Sequence, residues 1–141
     1  MALPAELNGY PGPAHVLELA KELDLSKVQQ QRISEMFDAM RAEAIVKGSA
    51  LIEAERALDK GFSYGSLDAG HLRELIEEAE AARADLRFVH LSRHLMTSEI
   101  LNAGQITAYA VLRGYAPDNC ASVPEGHDAT MWRRHHGCDD P

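Results

Sequence analysis

His90 and His94 stand four residues apart, the spacing at which two imidazoles leave a helix on one face and can ligate a single metal ion. Arg83 and Arg87 lie on the same stripe at helical pitch, about 100° per residue. Two guanidinium groups repel a cation, so an ion held there needs an anionic partner. Glu43 is the candidate for that role, reached through the helix pairing described next. The same pairing brings Met36 and Met40 to the level of the two histidines. A mixed imidazole and thioether set favours Cu(I) over Zn(II) or Ni(II) by ligand softness. Each residue also has a plainer reading. The histidines can serve as polar seam residues bonded to glutamate or backbone, and methionines more often fill cores than bind metal.

The stripe must be positioned by helices. From Ala81 to Ile100, helical pitch sorts Ala79, Ala82, Leu86, Val89 and Met96 onto one apolar face, and Ala84, Phe88, Leu91 and Leu95 onto a second. A helix exposed on one side needs only one such face, so this one is expected to be covered from two directions. Upstream, Ser26 and Gln29 form a capping box, and a helix with a strong apolar line runs from there to about Lys60. Gly48 lies beside that line and is expected to admit a close neighbour. Asn102 and Gln105 repeat the capping logic before a short helix from Ile106 to Arg113. A second short helix covers AHVLELAKEL after Pro13, and Ser66 or Asp68 caps the long helix that ends near Ile100.

Two long helices joined by the turn around Tyr64 and Gly65 must run antiparallel. With the turn centred there, facing residue numbers sum to about 129 by the helical rise. Met40 then faces His90, Met36 faces His94, Glu43 pairs with Arg87, and Glu55 pairs with Arg73.

Composition narrows the class. The 141 residues suffice for one domain with a real core; 45% are apolar and 26% charged. No run approaches the roughly 18 apolar residues of a membrane span. The net charge of −8 argues against nucleic acid or an anionic membrane as the main partner. Met1-Ala2-Leu3-Pro4 carries no basic segment or apolar core of a signal peptide. Nothing suggests an enzyme: no nucleophile–base pair or phosphate-binding glycine loop is evident. Cys120 and Cys138, the only cysteines, are open to a disulfide, free thiols or metal binding. His127, His135, His136 and Cys138 form a second, weaker metal candidate in the tail.

Leu25-Ser26-Lys27-Val28-Gln29 and Leu101-Asn102-Ala103-Gly104-Gln105 resemble the paired LTxxQ motifs of the Spy/CpxP family, the second with Asn for Thr and Gly before Gln. MRAEA, LIEAERALD, HLSRHL and ITAYAVLRGY look like the heavy-metal-resistance, metal-sensor branch of that family. The likeness covers roughly residues 10–115. It implies a periplasmic, four-helix, usually dimeric protein, with its signal peptide removed and a disulfide between Cys120 and Cys138. It also implies metal ligands from His on the first helix, an acidic residue on the second and a His-x-x-x-His/Met pair on the third. His15 and the pair His90/His94 match; Leu19 stands where a second His of the first helix would be.

The resulting expectation is an all-α protein. It consists of an antiparallel hairpin of two long helices with short helices at each end, four in all, in an intertwined dimer. Residues 1–12 form an irregular lead-in, 13–114 the helical Spy-like metal-sensor domain, and 115–141 a loose tail. The expected ligands are His15, Met36, Met40, Glu43, His90 and His94, for Cu, Ni, Co or Zn. The expected function is metal binding or sensing in metal resistance or envelope stress. The alternative is an ATP-independent holdase chaperone acting on unfolded client proteins. Candidate partners are a second copy and a membrane-bound sensor or anti-sigma protein, with no nucleic acid.

Overall fold

The computed structural model describes all residues except Met1, Ser66, 118–122, Pro124, His127, His136, Gly137 and 139–141, and leaves the His135 side chain undescribed. The described residues are helical, with no strand. They form α1 (Leu3–Glu6), α2 (Pro13–Glu18), α3 (Lys27–Ser63), α4 (Ala69–Ile100), α5 (Ala103–Leu112) and α6 (Ala129–His135). None is long and apolar enough to cross a membrane.

The two capping boxes form as their spacing requires. The Ser26 hydroxyl accepts from the Gln29 amide while the Gln29 side chain accepts from the Ser26 amide, and Asn102 and Gln105 do the same at α5. The two boxes also meet. Gln29 Nε2 donates to Gln105 Oε1 at 2.8 Å and to the Ile100 carbonyl at 3.0 Å; Gln105 Nε2 donates to the Leu23 carbonyl at 3.2 Å. Around this pair Val16, Leu23, Leu25, Ile33, Met36, Leu101 and Tyr109 form one buried cluster. The repeated motif is therefore the joint that binds the start of α3 to the end of α4.

The long helices pack along one another. Arg93 pairs with Glu43 (2.6 Å), Lys47 with Asp85 (2.7 Å), and Arg83 with Glu55. Partners on α4 fall in number as those on α3 rise, the order of an antiparallel pair. The expected register is corrected: Glu43 takes Arg93 rather than Arg87, and Glu55 takes Arg83 rather than Arg73. α3 continues to Ser63, past the expected end at Lys60, and α4 starts at Ala69. The turn centre moves toward the C-terminus and both ion pairs move with it, while Met40 still shares a groove with His90. Asp68 is the cap of α4, its carboxylate accepting from the amides of Gly70 and His71. Those two backbone donors hold its pKa below the usual carboxylate value.

Other boundaries differ from expectation. The lead-in contains α1, begun by Pro4 in its first turn, where a missing amide costs nothing. α2 ends at Glu18, and the next six residues turn so that Leu23 and Leu25 both enter the cluster. α5 begins three residues early, directly after its Asn102 cap. The stretch expected to be loose carries α6. Cys138 is disulfide-bonded, and Cys120 lies outside the described residues, as do His127 and His136.

The two faces of α4 fare differently. Ala79, Leu86 and Val89 are buried, but on the second face Phe88 is 71% and Leu95 55% exposed. The described residues supply no second cover. Gly48 faces open space, with nothing within 4 Å of where a Cβ would stand.

Candidate metal site

The structure gives the two spaced histidines different surroundings. His90 Nδ1 lies 2.8 Å from the carbonyl of Leu86, one turn back on its own helix. Its ring lines an open groove with Phe37, Met40, Arg41, Ala44, Ile45 and Leu86. His94 is 6% exposed, and its Nδ1 lies 2.8 Å from the carbonyl of Tyr10, across the fold. Glu43 is engaged by Arg93. Met36 is buried in the cluster around the glutamine pair, and Met40 sits half-buried in the groove with His90. The expected set is thus spread over four places: the groove, the cluster, the Glu43–Arg93 ion pair, and the ground between α1, α2 and α4.

That last place gathers the chemistry. A carbonyl only accepts, so Tyr10 fixes the proton of neutral His94 on Nδ1 and leaves a lone pair on Nε2. His15 shows the same arrangement, its Nδ1 3.0 Å from the Glu18 carboxylate. Its Nε2 lies 3.9 Å from Oε1 of Glu6. Gly12 lies between these groups. A Cβ there would stand 2.9 Å from His94 Cε1, 3.4 Å from His94 Nε2 and 3.0 Å from Glu6 Oε1. Only glycine leaves that space open.

Glu6 is the residue that sequence reasoning missed. The residue is 8% exposed, and a buried charge needs partners. Oε2 accepts from the Tyr115 hydroxyl at 2.7 Å and lies 3.9 Å from Arg113 Nη2; Oε1 is left facing the imidazoles. Beneath it Tyr109 is fully buried, and its hydroxyl makes no hydrogen bond of acceptable geometry, although the Gly12 amide and Glu6 lie near it. Burial first, and the Glu6 charge second, push that phenol well above its ordinary range. The one local signal for Glu6 was Pro4, two residues before it, which marks a helix start in an otherwise irregular stretch.

The donor set of one carboxylate and two imidazoles, each with Nδ1 held by an acceptor, fits a borderline divalent ion. Among the described residues no three His, Cys, Asp or Glu side chains converge tightly enough to hold an ion as they stand. To share one ion, Glu6 Oε1 and His15 Nε2 must close from 3.9 Å by about 1 Å, and His94 Nε2 must come into reach of the same point. Compared with protein-family models, curated proteins and solved structures, the chain matches none.

Proposed function

We propose that this chain is a periplasmic heavy-metal-binding or metal-sensing protein, acting in metal resistance or envelope stress. The observation that carries the reading is the gathering around Gly12 of the Glu6 carboxylate and the His94 imidazole, with His15 3.9 Å from Glu6, both imidazoles having their Nδ1 atoms already held. Metal-bound histidines characteristically donate their other ring nitrogen to a carboxylate or carbonyl in this way. The set is harder than the His/Met combination expected from the sequence, and favours Zn, Ni, Co or Cu(II) over Cu(I). The paired L-x-x-x-Q joints support the resemblance to the Spy/CpxP family, and the disulfide at Cys138 accords with an oxidising compartment.

The same reading makes the two long helices a hairpin within an intertwined dimer. Its support is the uncovered apolar surface: Ile45, Val46, Ile52, Phe88 and Leu95 are all more than half exposed, and Gly48 opens beside them. A second copy buries that surface at low cost in polar desolvation. Sedimentation should find a dimer at tens of micromolar; a monomer at that concentration refutes this part. The uncovered surface also supports the rival reading, a holdase that takes up unfolded clients. Suppression of client aggregation at stoichiometric amounts, unchanged by a chelator, would favour that rival.

Calorimetric titration with Zn²⁺ and Ni²⁺ at neutral pH tests the metal reading. One site per chain is expected, weakened more than tenfold, or about 1.4 kcal/mol, by His15→Ala or Glu6→Gln. Removing residues 118–141 should change it much less. If His15→Ala binds like the wild type while the truncated chain binds nothing, the tail is the site.

A further inference from the structure

The Glu6 carboxylate has two tasks. Oε1 faces the imidazoles, while Oε2 is held by Tyr115 and neighbours Arg113, whose guanidinium also lies 5.8 Å from the centre of the Tyr115 ring. These two residues belong to the turn that closes α5, where the amides of Tyr115 and Ala116 both bond to the Ala110 carbonyl. Glu6 sits on a helix of four residues, too short to be stable by itself, so the orientation of its carboxylate is set by what grips it.

We propose that Tyr115 and Arg113 tune the ion affinity of the Glu6 site in opposite directions, and that an ion bound there tightens the turn after α5 in return. This rests on the metal-binding reading above. The Tyr115 hydroxyl orients the carboxylate so that Oε1 points at His15 and His94, which is how outer partners of a ligating carboxylate raise affinity. Arg113 places a positive charge beside the same group and opposes a second cation. Coupling between two sites is reciprocal: whatever Tyr115 adds to ion affinity, the ion adds to the grip on Tyr115. The stretch leading into the tail is thereby made responsive to occupancy.

The test uses the full chain and Zn²⁺ alone as probe, with two readouts. In calorimetry Tyr115→Phe, which removes one hydroxyl, should weaken binding roughly tenfold to a hundredfold. Arg113→Gln should strengthen it roughly twofold to fivefold, the scale of one partly exposed charge. A merely structural role would weaken binding in both variants, so opposite signs are diagnostic. In hydrogen exchange, Zn²⁺ should slow the amides of Tyr115 and Ala116 in the wild type and leave them unchanged in Tyr115→Phe. If Zn²⁺ binds but those amides do not respond, or both variants shift affinity the same way, the coupling is refuted while the site stands. If the wild type does not bind Zn²⁺, both fall.

Discussion

The two ends of the long helix pair are built on different principles. At one end the start of α3 and the end of α4 are gathered with α2 and α5 around seven buried apolar residues and a reciprocal glutamine pair. At the other, two helices have only each other. Of the 37 residues of α3, only Ile33 and Met36 are buried, both at the gathered end. The far half is joined by the buried Leu75, Ala79 and Leu86 of α4 and by surface ion pairs such as Lys47–Asp85 and Arg83–Glu55, which solvent screening keeps weak. The lesson is that one continuous helix carries a stable base and a weakly held arm. The candidate metal site stands on the base, where His94 and Glu6 are buried, and most of the uncovered apolar surface, Ile45, Val46, Ile52 and Phe88, lies further along the helices.

Substitutions in the base should have the largest effects. Ile33→Ala, at a fully buried position, should cost about 2–5 kcal/mol, whereas Ile52→Ala, 52% exposed on the arm, should stay within about 0.5 kcal/mol in a single chain. Denaturant unfolding measures both, and equal losses would erase the distinction. Next, Gln105→Ala strands the Leu23 carbonyl, the Asn102 amide and part of Gln29. Unfolding experiments should show a loss of about 1–3 kcal/mol; a neutral result would mean that the two capping boxes do not act as a joint. Ser26→Ala removes one cap bond and should cost about 1 kcal/mol.

The smallest effect belongs to the arm and is read by pH. Asp68 has its pKa lowered by the backbone donors it caps, so its stabilisation is fully present above the unfolded carboxylate value, about 3.9. It is lost as pH falls through the lower folded value. Amide exchange in the first turn of α4 should quicken over that window in the wild type and show no such step in Asp68→Asn. A step that persists in the variant would place its origin elsewhere.

What could be read from the sequence follows from the range of each interaction. Both capping boxes and the Asp68 cap lie within three residues of the groups they serve, and were legible. So was the pairing of two long helices, since each carries an apolar line at helical pitch. The register was not, because it depends on where the turn falls: α3 runs three residues past its expected end, and Glu43 takes Arg93 rather than Arg87. His15 and His94 were legible as candidate ligands by type. Their closeness to Glu6 around Gly12 was not: His94 is anchored by a carbonyl 84 residues away, and Glu6 sits in a stretch whose prolines and glycines conceal a one-turn helix. Four-residue spacing put His90 and His94 on one stripe, yet only His94 is covered by α1 and α2.

The most direct test of the metal reading is nitrogen NMR of the imidazole rings during titration of the full chain with Zn²⁺ at neutral pH. The account predicts that free His15 and His94 carry their protons on Nδ1, and that Zn²⁺ shifts their Nε2 resonances together at one equivalent while His90 stays in place. A response confined to His90 or to the tail histidines, or none at all, would contradict it.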